Sequence, residues 1–405
     1  MAPLRILFIS PYVPSPIRVR PYNLIKHLAK RGHQITLLAL IPPGEDTSSL
    51  DILRTWCDRV ETVVLPRWRT LWNTASAIPA GIPLQAAYSR SPEMAERIQS
   101  VQQNAKFDVV HVEHLRGSEL SSAVNSTPIV FDSVDSITLL FEHVCASGPN
   151  WKSRMMARLD LARTRRYEGD LLKRYPQVLV TSPKDRDALV KFSTIRNPQR
   201  FTVLPNGVDL EYFKPIDSPR ETETIVFTGK MSYHANIAAA LDVAKHVMPL
   251  VWQQFPQAHF VIAGKDPAPE IEALTDDPRI IVTGTVPDLR PYLAKATVSV
   301  SPMRYGVGIQ NKILEAMAMG TPVITTSNAL SSLQATDGEE LLIGDTPEAV
   351  AHNIIELFKD QTLAQRVGDA GRYYVETYHD WNVTAENLEA VYRDVMPVKN
   401  GYHVV

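Results

Sequence analysis

Gly306-Val307-Gly308-Ile309-Gln310-Asn311-Lys312-Ile313-Leu314-Glu315-Ala316-Met317-Ala318-Met319-Gly320-Thr321-Pro322-Val323-Ile324 follows an apolar run, Val298-Ser299-Val300, that reads as a strand. Two glycines at a strand-to-helix junction let backbone amides approach an anion. A helix beginning near Ile309 would present unpaired N–H groups and the positive end of its dipole there. Lys312 falls in the first turn and Glu315 on the same helical face, so a cation and a carboxylate project together. Ile313, Leu314, Met317 and Ala318 form the opposite, buried face. Gly320-Thr321-Pro322 stops the helix, and the next strand follows. The stretch is a diphosphate cradle in outline, with phosphate for Lys312 and ribose hydroxyls for Glu315. Its competitor is a solvated Glu–Lys pair on an ordinary amphipathic helix.

Outward from this stretch, the chain alternates strands and helices. Arg5 to Ile9, His33 to Leu40, Val60 to Leu65, Val109 to Val112, Ile129 to Phe131 and Val178 to Thr181 read as buried strands, with helical spacing between them. A second series runs through Thr224 to Phe227, His259 to Ala263, Ile280 to Val282, Val298 to Val300 and Pro322 to Ile324. The expected fold is α/β: two doubly wound, Rossmann-like domains facing each other across a cleft. The boundaries read as 1–205, 206–380, and a terminal helix in 381–405 that packs back toward the first domain.

Composition agrees and excludes other classes. At 405 residues, two or three domains are expected at ~100–200 residues each. With 44% hydrophobic and 21% charged residues, the chain can bury large cores. Lys plus Arg number 42 against 44 Asp plus Glu, a net charge of −2, so nothing global points to nucleic acid. Cys57 and Cys145 are too few for a disulfide framework and fit a reducing, cytoplasmic setting. Leu4 to Ile9 is too short for a signal sequence, and no apolar run approaches the ~18 residues of a spanning helix. Prolines, 30 against 18 glycines, suggest many stiff element boundaries.

The string Lys-x-x-Glu-Ala-Met-Ala-x-Gly-x-Pro-Val-Ile from Lys312 resembles the signature of family 4 glycosyltransferases of the GT-B fold. The Gly-Ile-Gln-Asn-Lys version resembles a bacterial subgroup associated with exopolysaccharide synthesis. Asp108 to His114, Val203 to Asp209, Phe227-Thr228-Gly229-Lys230 and Val261 to Gly264 fall in the family's order. The resemblance implies retaining transfer of a sugar from a nucleotide diphosphate donor, a UDP-sugar first among them, to a glycan or lipid-linked acceptor. It implies no metal and no cofactor. Glu315 would hold ribose, Lys312 and Lys230 the diphosphate, and Gly229, Gly308, Ile309, Gln310, Asn311 and Leu314 the rest of the nucleotide. Glu113 and Lys312 are the candidate catalytic groups.

The sequence departs from the family pattern in two places. Where relatives carry a glutamate for donor-sugar hydroxyls, this chain has Val307. Where they carry a second phosphate-binding cation after the glycine and its neighbour, it has Ala235, and Lys312 is the candidate replacement.

In the first domain the loop Pro11-Tyr12-Val13-Pro14-Ser15-Pro16 has prolines where relatives use glycines. Arg18 and Arg20, near a helix start, are candidates for an anion site. His111 and Glu113 share one strand face by alternation and could meet the sugar, with His114 turned away. Asp135 is a candidate acceptor contact, whereas Asp185 and Asp187 read as first-turn acids of a helix. His-x-Glu-His is a weak metal pattern, and no metal is expected.

Two basic stretches, Arg67-Trp68-Arg69 with Leu71-Trp72, and Lys152 to Arg174, are candidates for peripheral contact with the inner face of a membrane. Asp160, Glu168 and Asp170 dilute the second. Competing functions are a nucleotide-sugar epimerase of the same fold and a non-catalytic sugar-nucleotide-binding protein. The oligomeric state is not legible.

Overall fold

The computed structural model describes residues 2–147, 151–216, 219–303 and 310–397. The chain divides into two compact units, Met1–Pro205 with Trp381–Val405, and Asn206–Asp380.

In the first unit the strands are β1 (Arg5–Ser10), β2 (Gln34–Ile41), β3 (Arg59–Val64), β4 (Val109–Glu113), β5 (Ile129–Val134), β6 (Gln177–Val180) and β7 (Phe201–Val203). They form one parallel sheet in the order β3-β2-β1-β4-β5-β6-β7. Side-chain alternation sends successive residues to opposite faces, so each strand feeds two cores. Leu7, Ile9, Val110 and Val112 join Met94 and Ile98 on one face. Ile6, Phe8, Leu37 and Val109 join Leu24 and Trp381 on the other.

The second unit repeats the scheme with β8 (Thr224–Thr228), β9 (His259–Ala263), β10 (Ile280–Gly284), β11 (Val298–Ser301), β12 (Val323–Thr325) and β13 (Leu342–Ile343). Its parallel order is β10-β9-β8-β11-β12-β13. Ile225, Phe227, Phe260 and Ile262 line one core, and Val226, Val261, Ile313 and Leu314 the other.

Many of the prolines start helices. Pro92, Pro183 and Pro347 each follow a Ser or Thr whose hydroxyl accepts an amide of the first turn, from Met94, Asp185 and Ala349 at 3.1, 3.2 and 3.2 Å. Proline has no N–H to leave unsatisfied there, and its fixed φ is already helical.

The terminal helix, Trp381–Val395, packs on helix Val19–Lys30 of the first unit. Glu389 accepts from Arg31 Nε and Nη2 at 3.0 and 2.9 Å and from Arg393 Nε at 3.1 Å, with His33 Nε2 at 3.2 Å. Burial opposes the charge, but these partners hold the carboxyl down at about 2 from an ordinary 4.5. A depressed carboxyl pKa contributes stability above the unfolded value and loses it as pH falls through the folded one. Glu389→Gln should therefore lower stability at pH 7 by about 2 kcal/mol. Thermal melts should show the gap from the parent narrowing toward pH 3; equal midpoints at pH 7 would remove this anchor.

Candidate functional site

In the second unit the site forms where the sheet's central strands end, the usual ligand edge of a doubly wound sheet. Gly229 follows β8 and Gly264 follows β9, with φ of +149° and +154°. The two loops meet backbone to backbone. A Cβ on Gly264 would come within 1.7 Å of the Gly229 carbonyl oxygen, so no larger residue fits without moving a loop. A Cβ on Gly229 would lie 2.7 Å from Asn236 Nδ2 and 3.4 Å from Lys312 Nζ.

The bare backbone at Gly229 thus leaves room for Lys312. Its ammonium donates to Asn236 Oδ1 at 2.5 Å, lies 4.5 Å from the centre of the Phe227 ring and is 3.8 Å from Met303 Sδ. Asn236 Nδ2 in turn donates to the Lys230 carbonyl at 2.9 Å. Burial pushes the Lys312 ammonium down to about 8, with the Glu315 carboxylate opposing that shift. Burial pushes Glu315 up to about 7, with Lys312 opposing. A desolvated cation next to exposed backbone is poised to gain from an anionic ligand. Lys230, by contrast, has an exposed side chain, 3.5 Å from Asp266.

The helix begins at Asn311, two residues past Ile309, and runs to Ala318. Gln310 caps it without a side-chain hydrogen bond to the first turn, because its Oε1 accepts from Ser301 Oγ at 3.0 Å. Gly308 and Ile309, with Val307, lie outside the described residues. Leu314 needs correction: its side chain is fully buried in the core with Val226 and Val261, which leaves no surface for a nucleotide. Asn236, the residue that holds Lys312 and the Lys230 carbonyl together, escapes the sequence reading. Its signal is position alone, in the first turn after the Gly229 loop.

In the first unit the carboxyl ends of β4 and β5 converge on a buried cluster. His111 stacks on Phe8 with ring centres 4.2 Å apart, and its Nδ1 pairs with Tyr392 Oη at 2.8 Å. Its Nε2 faces Glu113 Oε2 at 3.5 Å and Asp132 Oδ2 at 3.8 Å. Carboxylates on that side place the ring proton on Nε2, and Nδ1 then accepts from Tyr392. Tyr12 donates to Glu113 Oε1 at 3.1 Å, and Arg20 Nε donates to Asp132 Oδ2 at 2.7 Å while its Nη1 reaches the Leu204 carbonyl at 2.9 Å. Burial raises the Glu113 carboxyl above its ordinary range, with the His111 hydrogen bond opposing.

Two expectations change here. Glu113 is only 1% exposed, and Arg20 only 4%, with its guanidinium already on a carboxylate. Neither presents an open surface to a sugar or an anion. Arg18 stays exposed, 4.6 Å over the Tyr12 ring and 3.9 Å from Glu45. His111, Glu113 and Asp132 have the chemistry of a metal-ligand set, with donor atoms within 4.8 Å of one another. Tyr392, Tyr12 and Arg20 already bond them. Asp135 accepts from Thr181 Oγ1 at 3.0 Å, and burial lifts it to about 7. Asp185 accepts from the Ser136 amide at 2.9 Å, tying the loop after β5 to the helix it opens.

Backbone strain marks the same edge. His114 and Val134 hold φ of 61° and 67°, immediately after β4 and at the end of β5. A β-branched residue such as Val134 is a true outlier there, and such strain concentrates at functional edges.

The model described as Glycosyltransferase Family 4 matches residues 18–212, and that described as Glycosyl transferases group 1 matches 222–360. Together they span both sheets, and the chain belongs to glycosyltransferase family 4. YtcC of Bacillus subtilis strain 168, which bears the name of a glycosyltransferase, is 28% identical over 229 residues, 49% of this chain and 55% of that protein. CapM of Staphylococcus aureus, a capsular polysaccharide biosynthesis glycosyltransferase, is 28% identical over 130 residues, 32% of this chain and 34% of CapM. The chain thus spans about half or less of the length of these curated relatives. Anabaena Alr3699/HepE, solved with UDP and glucose, superposes with a TM-score of 0.68 over 96% of this chain and 100% of its own at 14% identity. The fold is GT-B.

The Gly229–Gly264 contact yields a direct test. Gly264→Ala should cost about 1–3 kcal/mol, the range for overpacking a tight site, because one loop must move. A melting temperature equal to the parent's would show that the contact is not needed.

Proposed function

We propose that the chain is a retaining glycosyltransferase that moves a sugar from a nucleotide diphosphate donor, preferentially a UDP-sugar, onto a glycan or lipid-linked acceptor in exopolysaccharide assembly. The observation that carries this reading is the Lys312 ammonium, desolvated and set beside the bare backbone of Gly229. Charge appears on the diphosphate as the bond to the sugar breaks, and a preplaced cation stabilises that state more than the ground state. Lys312, Lys230 and the start of the Asn311–Ala318 helix supply positive potential without a metal. Glu315, one turn further along the helix, takes the ribose hydroxyls.

Retention without a protein nucleophile suits this set. The acceptor hydroxyl attacks the anomeric carbon on the face the diphosphate leaves, the carbon–oxygen bond to phosphate breaks, and the acceptor proton passes to a departing phosphate oxygen. Glu113 acts at one remove, because its hydrogen bond from Tyr12 positions the loop after β1. Arg20 holds Asp132 in the same way. The UDP preference rests on the shared fold with HepE, and the pathway on the resemblance to CapM.

A thermal-shift panel of nucleotide diphosphates and their sugars tests the reading. At a ligand concentration of ~100 Kd the folded state gains ~2.7 kcal/mol, which raises the midpoint. UDP should shift it, and Lys312→Ala should weaken UDP at least about tenfold, ~1.4 kcal/mol. No shift with any nucleotide would sink the proposal. Conversion of the donor sugar with no acceptor present is the outcome an epimerase would give.

A further inference from the structure

The first unit carries two helices whose outward faces lack the acids that solvated helices normally show. Helix Arg67–Ala80 turns Thr70, Asn73 and Ala77 inward. Asn73 Nδ2 fixes it by donating to the Tyr88 and Arg90 carbonyls at 3.1 and 2.8 Å. Outward it presents Trp68, Leu71, Trp72 and Ile78, 60–72% exposed, with Val64 at 68% just before it. Its charged residues are Arg67, which is exposed, and Arg69, whose guanidinium lies 4.6 Å over the Trp68 ring and 3.5 Å from Glu93. Exposed tryptophans one turn apart are not what a solvated surface uses.

Helix Trp151–Gly169 repeats the pattern with more charge. Trp151, Met155 and Leu159, one turn apart, are 61%, 45% and 60% exposed, and exposed Lys152, Arg154 and Arg158 flank them. The helix's acids do not dilute that face. Asp160 and Glu168 are turned inward, at 2% and 0% exposure, where Asp160 accepts the Leu84 amide at 3.0 Å and Glu168 accepts the Ile137 amide at 2.7 Å. Helix Leu84–Tyr88, which packs on the first helix, thereby bonds to the second.

We infer that these two helices dock the protein onto an anionic lipid bilayer. Tryptophan and arginine side chains carry an apolar body and a polar or charged tip, which suits the boundary between acyl chains and phosphates. Arg67 on the first helix and Lys152, Arg154 and Arg158 on the second meet anionic headgroups. A second copy of the chain is disfavoured, because a two-fold contact through the Trp151, Met155 and Leu159 stripe would bring the Lys152, Arg154 and Arg158 of both copies together. Among the described residues no helix is long and apolar enough to cross a membrane, so the contact is peripheral.

The test is co-sedimentation of the full chain with vesicles of phosphatidylcholine mixed equally with phosphatidylglycerol, and of phosphatidylcholine alone. The protein should pellet with the mixed vesicles and be released by salt of about 0.5 M. Trp68→Ser with Trp72→Ser, and separately Arg154→Glu with Arg158→Glu, should each weaken partitioning about tenfold. Both variants should keep the parent's melting temperature and its nucleotide response, so a lost pellet cannot be a lost fold. A parent that stays in the supernatant, or variants that pellet like it, would overturn the inference. So would a lipid-free dimer that Trp68→Ser with Trp72→Ser converts to monomer.

Discussion

An ammonium held against a phenyl ring and a thioether sits in an environment that favours its neutral form, and the second unit is arranged so that it stays there. Phe227 lies near the end of β8, Met303 follows β11, and Asn236 is in the first turn of the next helix, so three separate elements fix Lys312. The position exists because Gly229 has no side chain, and Gly229 holds its conformation because Gly264 lets the neighbouring loop touch it. The residue types at these positions are therefore coupled. Each is ordinary alone, and together they leave a cation short of solvent, with Glu315 as its nearby counter-charge.

The first unit solves a different problem with similar means. There the buried charges are paired. Arg20 with Asp132, and His111 between Glu113 and Tyr392, form a network whose members come from the first helix, β4, β5 and the terminal helix. Breaking any one leaves another charge buried without its partner, which costs more than the intact pair contributes. That explains why the terminal helix returns to this unit: Tyr392 completes the network and Glu389 clamps the outer turn. The strained backbones of His114 and Val134 lie over the same cluster's strands, held by its packing.

Most of the sheet architecture was legible because buried parallel strands read as apolar runs. The two strands overlooked, Phe201–Val203 and Leu342–Ile343, are edge strands of three and two residues, too short to show a period. Lys312, Glu315, Gly229 and Lys230 could be singled out because they are local to a strand–loop–helix junction. Leu314 reads as a ligand contact because it neighbours two polar residues, but on the helix it belongs to the core face. Glu113 and Arg20 read as candidate ligand contacts, but sequence cannot show that Tyr12 and Asp132 already bond them, since those partners are remote in the chain. Asn236 carries no motif at all, and only the fold brings its amide to the lysine.

Burial holds the Lys312 ammonium down at about 8 in the free protein, so near pH 8 about half of it is neutral until an anion binds beside it. Calorimetric titration of UDP into the protein near pH 8, in two buffers of different ionisation enthalpy, measures the protons taken up on binding. Uptake should be on the order of half a proton per UDP, because the ligand raises the lysine's pKa, and it should be lost in Lys312→Met. Buffer-independent heats, or the same uptake in the variant, would contradict it.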